Sequence, residues 1–138
     1  MSKKTFVIFG LLVIFLAVLI PWLAFRADGD AASGAQEVPA HLEEGQSLFQ
    51  TNCGNCHTLY AAGTDGNFGP DLDVLLAEAG VPEGEGAEET IEATKGRVLN
   101  AVEAGVDSST PGRMPAGILS GEQAEEVAEF VANTAGEG

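Results

Sequence analysis

The sequence predicts an all-α protein in which one N-terminal transmembrane helix precedes a small helical domain. Residues 5–25 are a 21-residue run without a charged side chain, long enough at about 1.5 Å per residue to cross a bilayer. Four later segments repeat apolar or small residues at spacings of three and four, the period of a helix, and no segment reads as a strand. We therefore predict an anchor at residues 1–26, a linker at 27–39 and a domain at 40–138.

Charges flanking the apolar run predict its orientation. Lys3 and Lys4 precede the run, whereas Arg26 after it is soon outweighed by two aspartates. Positive residues stay on the cytoplasmic side, so we expect a single-pass protein of the cell membrane with its domain on the outer face. The competing interpretation is a cleaved signal peptide. The apolar core exceeds the usual ~7–15 residues, and residues 27–35 offer a poor cleavage pattern, which favours the anchor.

Composition and periodicity place the later elements. The linker is rich in Ala, Gly, Ser and acids and has nothing to bury, as in a flexible coil. An acidic stretch at residues 81–89 is predicted to be a solvated loop. Gly105 is placed to end the third domain helix, and Ser120 is predicted to be the N-cap of the last one, with Gln123 completing a capping box. The domain helices are predicted at residues 40–51, 71–79, 90–104 and from Ser120 onward.

The run Cys53-Gly54-Asn55-Cys56-His57 follows the first domain helix and reads as a covalent haem-attachment site. Each thiol can add across a haem vinyl group, and the two-residue gap matches the separation of the two vinyls. The adjacent His57 is then carried under the ring, where its imidazole can bind the iron. We therefore expect one haem c, attached through Cys53 and Cys56.

Three other uses of such a cysteine pair are a disulfide, a redox-active dithiol and half of a zinc site. A zinc site needs about four ligands, and beyond this run the chain has no cysteine and only His41 as a further histidine. A thioredoxin-like pair follows a strand, whereas helical spacing precedes Cys53. Neither of these sites explains the immediately following His57.

Met114 is the candidate for a second axial ligand. It is the only methionine besides the initiator, and it lies beside a proline in a loop between two helices. A thioether opposite His57 would complete six-coordination and favour reduced iron. His41 is the other candidate ligand by residue type, but we expect it to be a surface histidine.

These residues together resemble a class I c-type cytochrome over about residues 40–132. The resemblance rests on residues in a fixed order: Gly45, Phe49, Cys53, Cys56, His57, Gly69-Pro70-Asp71-Leu72, Arg113-Met114-Pro115 and Phe130. It implies a small all-α fold around one covalent haem, with the first and last helices crossing near Gly45, Phe49 and Phe130. It also implies that the Pro70 carbonyl accepts a hydrogen bond from His57 and that Met114 is the distal ligand. With its anchor, the chain is similar to the membrane-anchored small cytochromes c of bacterial respiratory chains.

The charge predicts the class of partner. The 138-residue chain has a formal net charge of −15. From residue 40 onward it contains 18 acidic residues and only three basic ones, Lys95, Arg97 and Arg113. Such a field excludes nucleic-acid binding and selects redox proteins with basic faces. The alternative is that the acids serve only solvation or adaptation to salt, with docking through apolar surface around the haem edge. The lysine ring of mitochondrial-type carriers is missing.

No nucleophile–base pair or open metal position is evident, so we expect an electron carrier and no enzyme. The resemblance places it between a quinol-oxidising complex and a terminal oxidase or similar acceptor. One alternative is a fixed cytochrome c subunit of a larger respiratory or photosynthetic oxidoreductase complex. The other is a haem sensor or peroxidase in which Met114 leaves the iron.

Overall fold

The apolar run at the start of the chain is helical. This helix, α1, comprises Lys3–Arg26, and most of its described large side chains are exposed, with Val18 66% accessible. Within the described residues, no helix combines the length and hydropathy needed to cross a membrane. The computed structural model divides into two compact units, residues 1–31 and 32–138, and describes residues 3–26, 34–76, 84–107 and 112–138.

The second unit has a helix in each segment predicted to be helical. Two acids in the first turns of α2, α4 and α5 favour these helix starts, because carboxylates there interact well with the helix dipole. That effect lets α4 begin inside the acidic stretch predicted to be a loop. Residues 77–83, which include the end of the predicted second helix and the start of that loop, lie outside the described residues. The helices are α2 Glu43–Asn52, α3 Leu72–Leu76, α4 Ala87–Ala104 and α5 Glu122–Thr134.

Glycines set two of the helix boundaries. Gly105 ends α4 as predicted, with φ of 73° and an N–H that donates to the Ala101 carbonyl at 2.9 Å. The prediction of Ser120 as the N-cap of α5 is wrong. Gly121 occupies that position with φ of 57° and no side-chain cap, and its carbonyl accepts from the backbone N–H groups of Ala124 and Glu125. A left-handed residue is needed at this corner, and glycine adopts it without a steric cost.

The core of the unit lies where α5 packs against both α2 and α4. A Cβ on Gly45 of α2 would stand 2.3 Å from the Glu126 carbonyl oxygen of α5, so only glycine permits this crossing. One turn on, the rings of Phe49 and Phe130 meet edge to face with centroids 6.0 Å apart. The expected crossing of the first and last domain helices is therefore present. Its buried neighbours include Leu42, Leu59, Val102, Ala124, Val127 and Val131.

Two short strands correct the expectation that the chain has none. β1, Thr58–Leu59, pairs antiparallel with β2, Thr64–Asp65, and a 3₁₀ helix, Tyr60–Ala62, joins them. Gly63 turns the chain back with φ of 63°. A strand of two residues is too short to show the apolar alternation from which strands are predicted.

Contacts of the second unit begin before residue 40. The Gln36 N–H donates to the Ala61 carbonyl at 3.1 Å, and the Gln46 side chain of α2 donates to the carbonyls of both Gln36 and Ala61 at 2.8 Å. The C-terminal part of the predicted linker is therefore bound to the folded domain. Residues 27–33 of that linker lie outside the described residues.

Candidate functional site

The end of α2 brings both cysteines and His57 into one tight turn. Cys53 caps the helix, with its N–H donating to the Phe49 carbonyl at 2.8 Å. The Cys53 carbonyl then accepts from the N–H groups of both Cys56 and His57 at 2.9 Å. Two thiols and an imidazole are thus presented by five consecutive residues, as covalent haem attachment requires.

A second segment crosses this turn at close range. A Cβ on Gly66 would lie 2.6 Å from both the Cys56 carbonyl carbon and the Gly54 carbonyl oxygen. The Thr58 hydroxyl donates to the Gly66 carbonyl at 3.0 Å, and the Thr64 hydroxyl donates to the His57 carbonyl at 3.0 Å. The β1–β2 pair therefore braces the backbone of the turn that carries the cysteines and His57.

The environment of Cys53 argues against thiol redox chemistry. Burial, followed by the neighbouring Cys56, raises the pKa of the Cys53 thiol to about 11. Redox-active pairs instead depress a cysteine pKa so that a thiolate is available. No group of three or more possible protein ligands for a metal ion occurs in the part of the chain that the structure describes, which gives no support to a zinc site.

His57 is fixed in orientation from two directions. Its Nδ1 lies 2.9 Å from the Pro70 carbonyl oxygen. A carbonyl can only accept, so Nδ1 carries the hydrogen and Nε2 keeps the lone pair that a metal needs. The Gly69 backbone lies against the ring, where a Cβ would approach Cε1 to 2.6 Å, and the Gly69 N–H donates to the Cys56 carbonyl at 2.7 Å.

Met114 lies on the loop that follows α4, and its backbone is anchored there. Val106 and Met114 exchange two backbone hydrogen bonds of 3.1 Å, and a Cβ on Gly105 would lie 2.7 Å from the Met114 carbonyl oxygen. Next to this backbone pairing, Arg113 and Asp107 form an exposed ion pair, with Nε and Oδ1 2.5 Å apart. The Met114 side chain is partly buried against the hydrophobic core.

The donor set fits haem c. Two thiols in one turn suit two vinyl groups, an imidazole with a free Nε2 suits the proximal side of the iron, and a thioether suits the distal side. Cys53, Cys56, His57 and Pro70 form one contiguous site, and Met114 is held on a separate loop. His41 is exposed, as expected of a surface histidine.

Asp73 was missed by the sequence analysis. Only 8% of this α3 residue is exposed, and its two oxygens accept from the backbone N–H of Tyr60 at 2.7 Å and of Gly136 at 2.9 Å. The carboxylate thereby ties the segment after β1 to the C-terminal end of the chain. Asp71 lies just before α3 and caps it, because its side chain accepts hydrogen bonds from the N–H groups of Asp73 and Val74. An aspartate in an acidic chain gives no local sign that its partner lies far along the sequence.

The comparisons with known proteins agree with this geometry. A family model described as cytochrome c matches residues 42–135, which include α2, both cysteines, His57, Met114 and α5. No curated protein matches the chain.

Proposed function

Because the chain belongs to the cytochrome c family, in class I, we propose that this haem-based electron carrier works at a membrane surface between a quinol-oxidising complex and a terminal oxidase or similar acceptor. Its cofactor is haem c, bound covalently through Cys53 and Cys56. Haem c supplies the one-electron redox couple. The residues around the haem hold it and determine how a partner protein approaches it.

The hydrogen bond between His57 Nδ1 and the Pro70 carbonyl, 2.9 Å long, is the observation that carries the proposal. It leaves the Nε2 lone pair free to bind the iron of a haem, and it fixes the ring through a backbone group that cannot release a proton. Gly69 packed on the same ring restricts its rotation. A ligand held this rigidly changes little between oxidised and reduced iron, which suits rapid electron transfer.

Met114 is the proposed distal ligand, and its role separates a carrier from an enzyme or sensor. With His57 and Met114 both bound to it, the iron would have no position left for a substrate. The β-bridge to Val106 and the contact with Gly105 hold the backbone of Met114 itself. A haem sensor or peroxidase would instead need Met114 to leave, and rapid carbon monoxide binding by the reduced protein would favour that function.

Charge favours partners with basic docking faces. Among the three domain cations, Lys95 pairs with Glu129 at 3.0 Å and Arg113 pairs with Asp107. These pairs neutralise two of the few positive charges, whereas most described acids of the domain are exposed. An acidic surface steers a basic partner into encounter, and salt weakens that attraction.

The helix α1 is the proposed membrane anchor. Its support is the uncharged run of residues 5–25 and the exposure of its large apolar side chains, including Ile8 at 65% and Val18 at 66%, because exposed apolar surface of this extent marks an interaction with lipid or protein. The charge bias of Lys3 and Lys4 supports a haem domain on the outer face of the cell membrane. A fixed place in a larger oxidoreductase complex would use the same helix, and copurification after mild solubilisation distinguishes the two arrangements.

Quinol-driven oxygen uptake by membranes that lack this protein tests the proposal. The full holoprotein should restore uptake at low concentration, and a fragment of residues 34–138 should do so only in excess, because tethering raises effective concentration without a new contact. Its second-order rate should fall as salt rises. Failure of both forms to restore uptake would reject the proposed pathway, and a rate that is flat or rises with salt would indicate apolar docking around the haem edge.

A further inference from the structure

The Thr64 side chain of β2 contacts the haem-attachment turn, residues 53–57, at two points. Its hydroxyl accepts a hydrogen bond from the Leu59 N–H at 3.1 Å and donates to the His57 carbonyl at 3.0 Å. The Leu59 carbonyl, 3.5 Å away, is the longer alternative acceptor. The Thr64 methyl group lies against Gly54, where a Cβ would stand 2.6 Å from Cγ2. One side chain therefore holds both the middle and the end of the turn.

Within the described residues, four contacts fix His57, and Thr64 supplies the one that comes from a side chain. The His57 N–H donates to the Cys53 carbonyl at 2.9 Å, its Nδ1 lies 2.9 Å from the Pro70 carbonyl oxygen, and its ring lies against the Gly69 backbone. These three partners are main-chain groups, which a substitution does not remove. Thr64 is therefore the support of His57 that a change of residue can delete.

Loss of the Thr64 hydroxyl would move the backbone at His57. Leu59 is fully buried, and without the hydroxyl its N–H loses this acceptor while the His57 carbonyl loses its donor. Polar main-chain groups that lose their partners inside a protein are disfavoured, so the chain shifts toward other partners. The imidazole is attached to this backbone, and a shift there displaces Nε2 even while Nδ1 stays near Pro70.

We propose that Thr64 is a positioning residue for the iron ligand, because its hydroxyl fixes the His57 backbone from which the imidazole presents Nε2. This inference rests on the proposed function, in which His57 binds the haem iron. Residues that orient a ligand without touching the metal affect the metal site through the ligand's geometry. Thr64 adds to the Pro70 and Gly69 contacts by holding the other end of the same side chain.

Proton NMR of the oxidised full-length holoprotein measures this geometry in the folded state. The resonances of the four haem methyl groups are spread apart by the unpaired electron, and their pattern depends on the plane of the axial imidazole. Thr64→Val keeps the shape of the side chain and removes the hydroxyl, and it should shift this pattern. Thr64→Ser keeps the hydroxyl, and it should restore the native pattern.

Thr134→Val is the matched control. The Thr134 hydroxyl also donates to a main-chain carbonyl, that of Phe130 in α5 at 2.8 Å, and Thr134 is only 3% exposed. The substitution therefore removes a buried hydrogen bond of the same kind outside the haem-attachment turn. It should lower the urea midpoint and leave the methyl pattern native, which is the result expected of a merely structural hydroxyl.

A second pair of variants tests the same contact if Thr64→Val does not fold. The φ of Gly54 is not positive, so its backbone accepts alanine, but the new Cβ would collide with the Thr64 methyl group. Gly54→Ala should shift the methyl pattern, and addition of Thr64→Ser should return it part of the way, because the Gln50 carbonyl oxygen, 3.0 Å from the new Cβ, still restricts it. An unshifted pattern in Gly54→Ala would overturn the inference.

The remaining outcomes separate the inference from the function beneath it. Native His57 ring protons without any shift from the unpaired electron would reject His57 ligation and the inference with it. Shifted native ring protons, with a native methyl pattern in Thr64→Val, would overturn the inference alone. A Thr64→Ser pattern displaced as far as that of Thr64→Val would also overturn it, since the hydroxyl is then not the cause. Failure to restore quinol-driven oxygen uptake rejects the proposed pathway and does not alter the methyl pattern.

Discussion

Gly69 lies against the imidazole of His57 so closely that a Cβ would stand 2.6 Å from Cε1, 2.8 Å from Nδ1 and 3.0 Å from Nε2. Glycine is thus required at this position by the nearby His57 ring. Its backbone conformation does not require it, because its φ is not positive. The hydrogen bond to the Pro70 carbonyl and the close contact with Gly69 together hold the His57 imidazole in one orientation.

Gly69→Ala should therefore displace the His57 ring. We expect partial loss of the low-spin spectrum of the oxidised protein and a loss of stability of about 1–3 kcal/mol, as for other overpacked sites. Gly96→Ala is the matched control, because a Cβ there meets nothing within 4 Å. A Gly69→Ala spectrum identical to that of the native protein would show that Gly69 does not constrain the ligand.

Gly45→Ala should destabilise the crossing of α2 and α5. The added Cβ would meet the Glu126 carbonyl oxygen at 2.3 Å and the Phe130 Cβ at 2.7 Å, and the helices must separate to admit it. We expect a loss of about 1–3 kcal/mol in urea unfolding, whereas Gly96→Ala in α4 should gain up to about 1 kcal/mol of helix propensity. Equal effects of the two exchanges would contradict the close crossing.

Asp73→Asn should destabilise the domain although it barely changes the size of the side chain. Each carboxylate oxygen of Asp73 accepts one backbone N–H, from Tyr60 and from Gly136, and an amide leaves one of these donors facing an NH₂ group. The expected loss is about 1–3 kcal/mol. Asp71→Asn is the control, since Asp71 uses a single oxygen for both of its bonds and asparagine caps helices equally well. Comparable losses in both variants would refute the argument.

The ion pair between α4 and α5 predicts a pH dependence. The hydrogen bond from Lys95 to Glu129, 3.0 Å long, is the main cause that raises the pKa of Lys95 above its ordinary 10.5. Because the folded pKa is raised, the pair contributes stability below about pH 10.5 and loses it as the pH rises through the folded value. A double-mutant cycle of Lys95→Met and Glu129→Gln should give a coupling of about 0.2–1 kcal/mol at neutral pH. Unfolding in urea at rising alkaline pH should show that coupling shrink; a constant coupling would contradict the assignment.

The parts of the fold that the sequence predicts are those set by local periodicity and by residue type. The buried stripe of α5 and the end of α4 at Gly105 follow from side-chain spacing and glycine geometry. The crossing at Gly45 with Phe49 and Phe130 was implied by the family resemblance. The haem attachment is predicted because the cysteines and His57 are adjacent in the chain, so no long-range contact is needed to bring them together.

What the sequence does not predict depends on contacts between distant residues. The acceptor role of Asp73 toward Gly136 spans 63 residues, and the bond from Gln36 to Ala61 draws part of the expected linker onto the domain. The Ser120 cap fails because the chain turns at Gly121 instead. The contact of the Phe68 ring with Gly112 is also between residues far apart in the chain, and neither residue type indicates its partner.

The sulfur-to-iron charge-transfer band of the oxidised protein tests the central claim, a haem held by His57 and Met114, most directly. The account predicts that the native protein shows this band and that Met114→Ala loses it, with a low-spin spectrum replaced by that of an open iron site. Met114→Ala should also bind carbon monoxide rapidly once reduced, while the native protein should not. A native spectrum without the band, or a band that survives in Met114→Ala, would contradict the account.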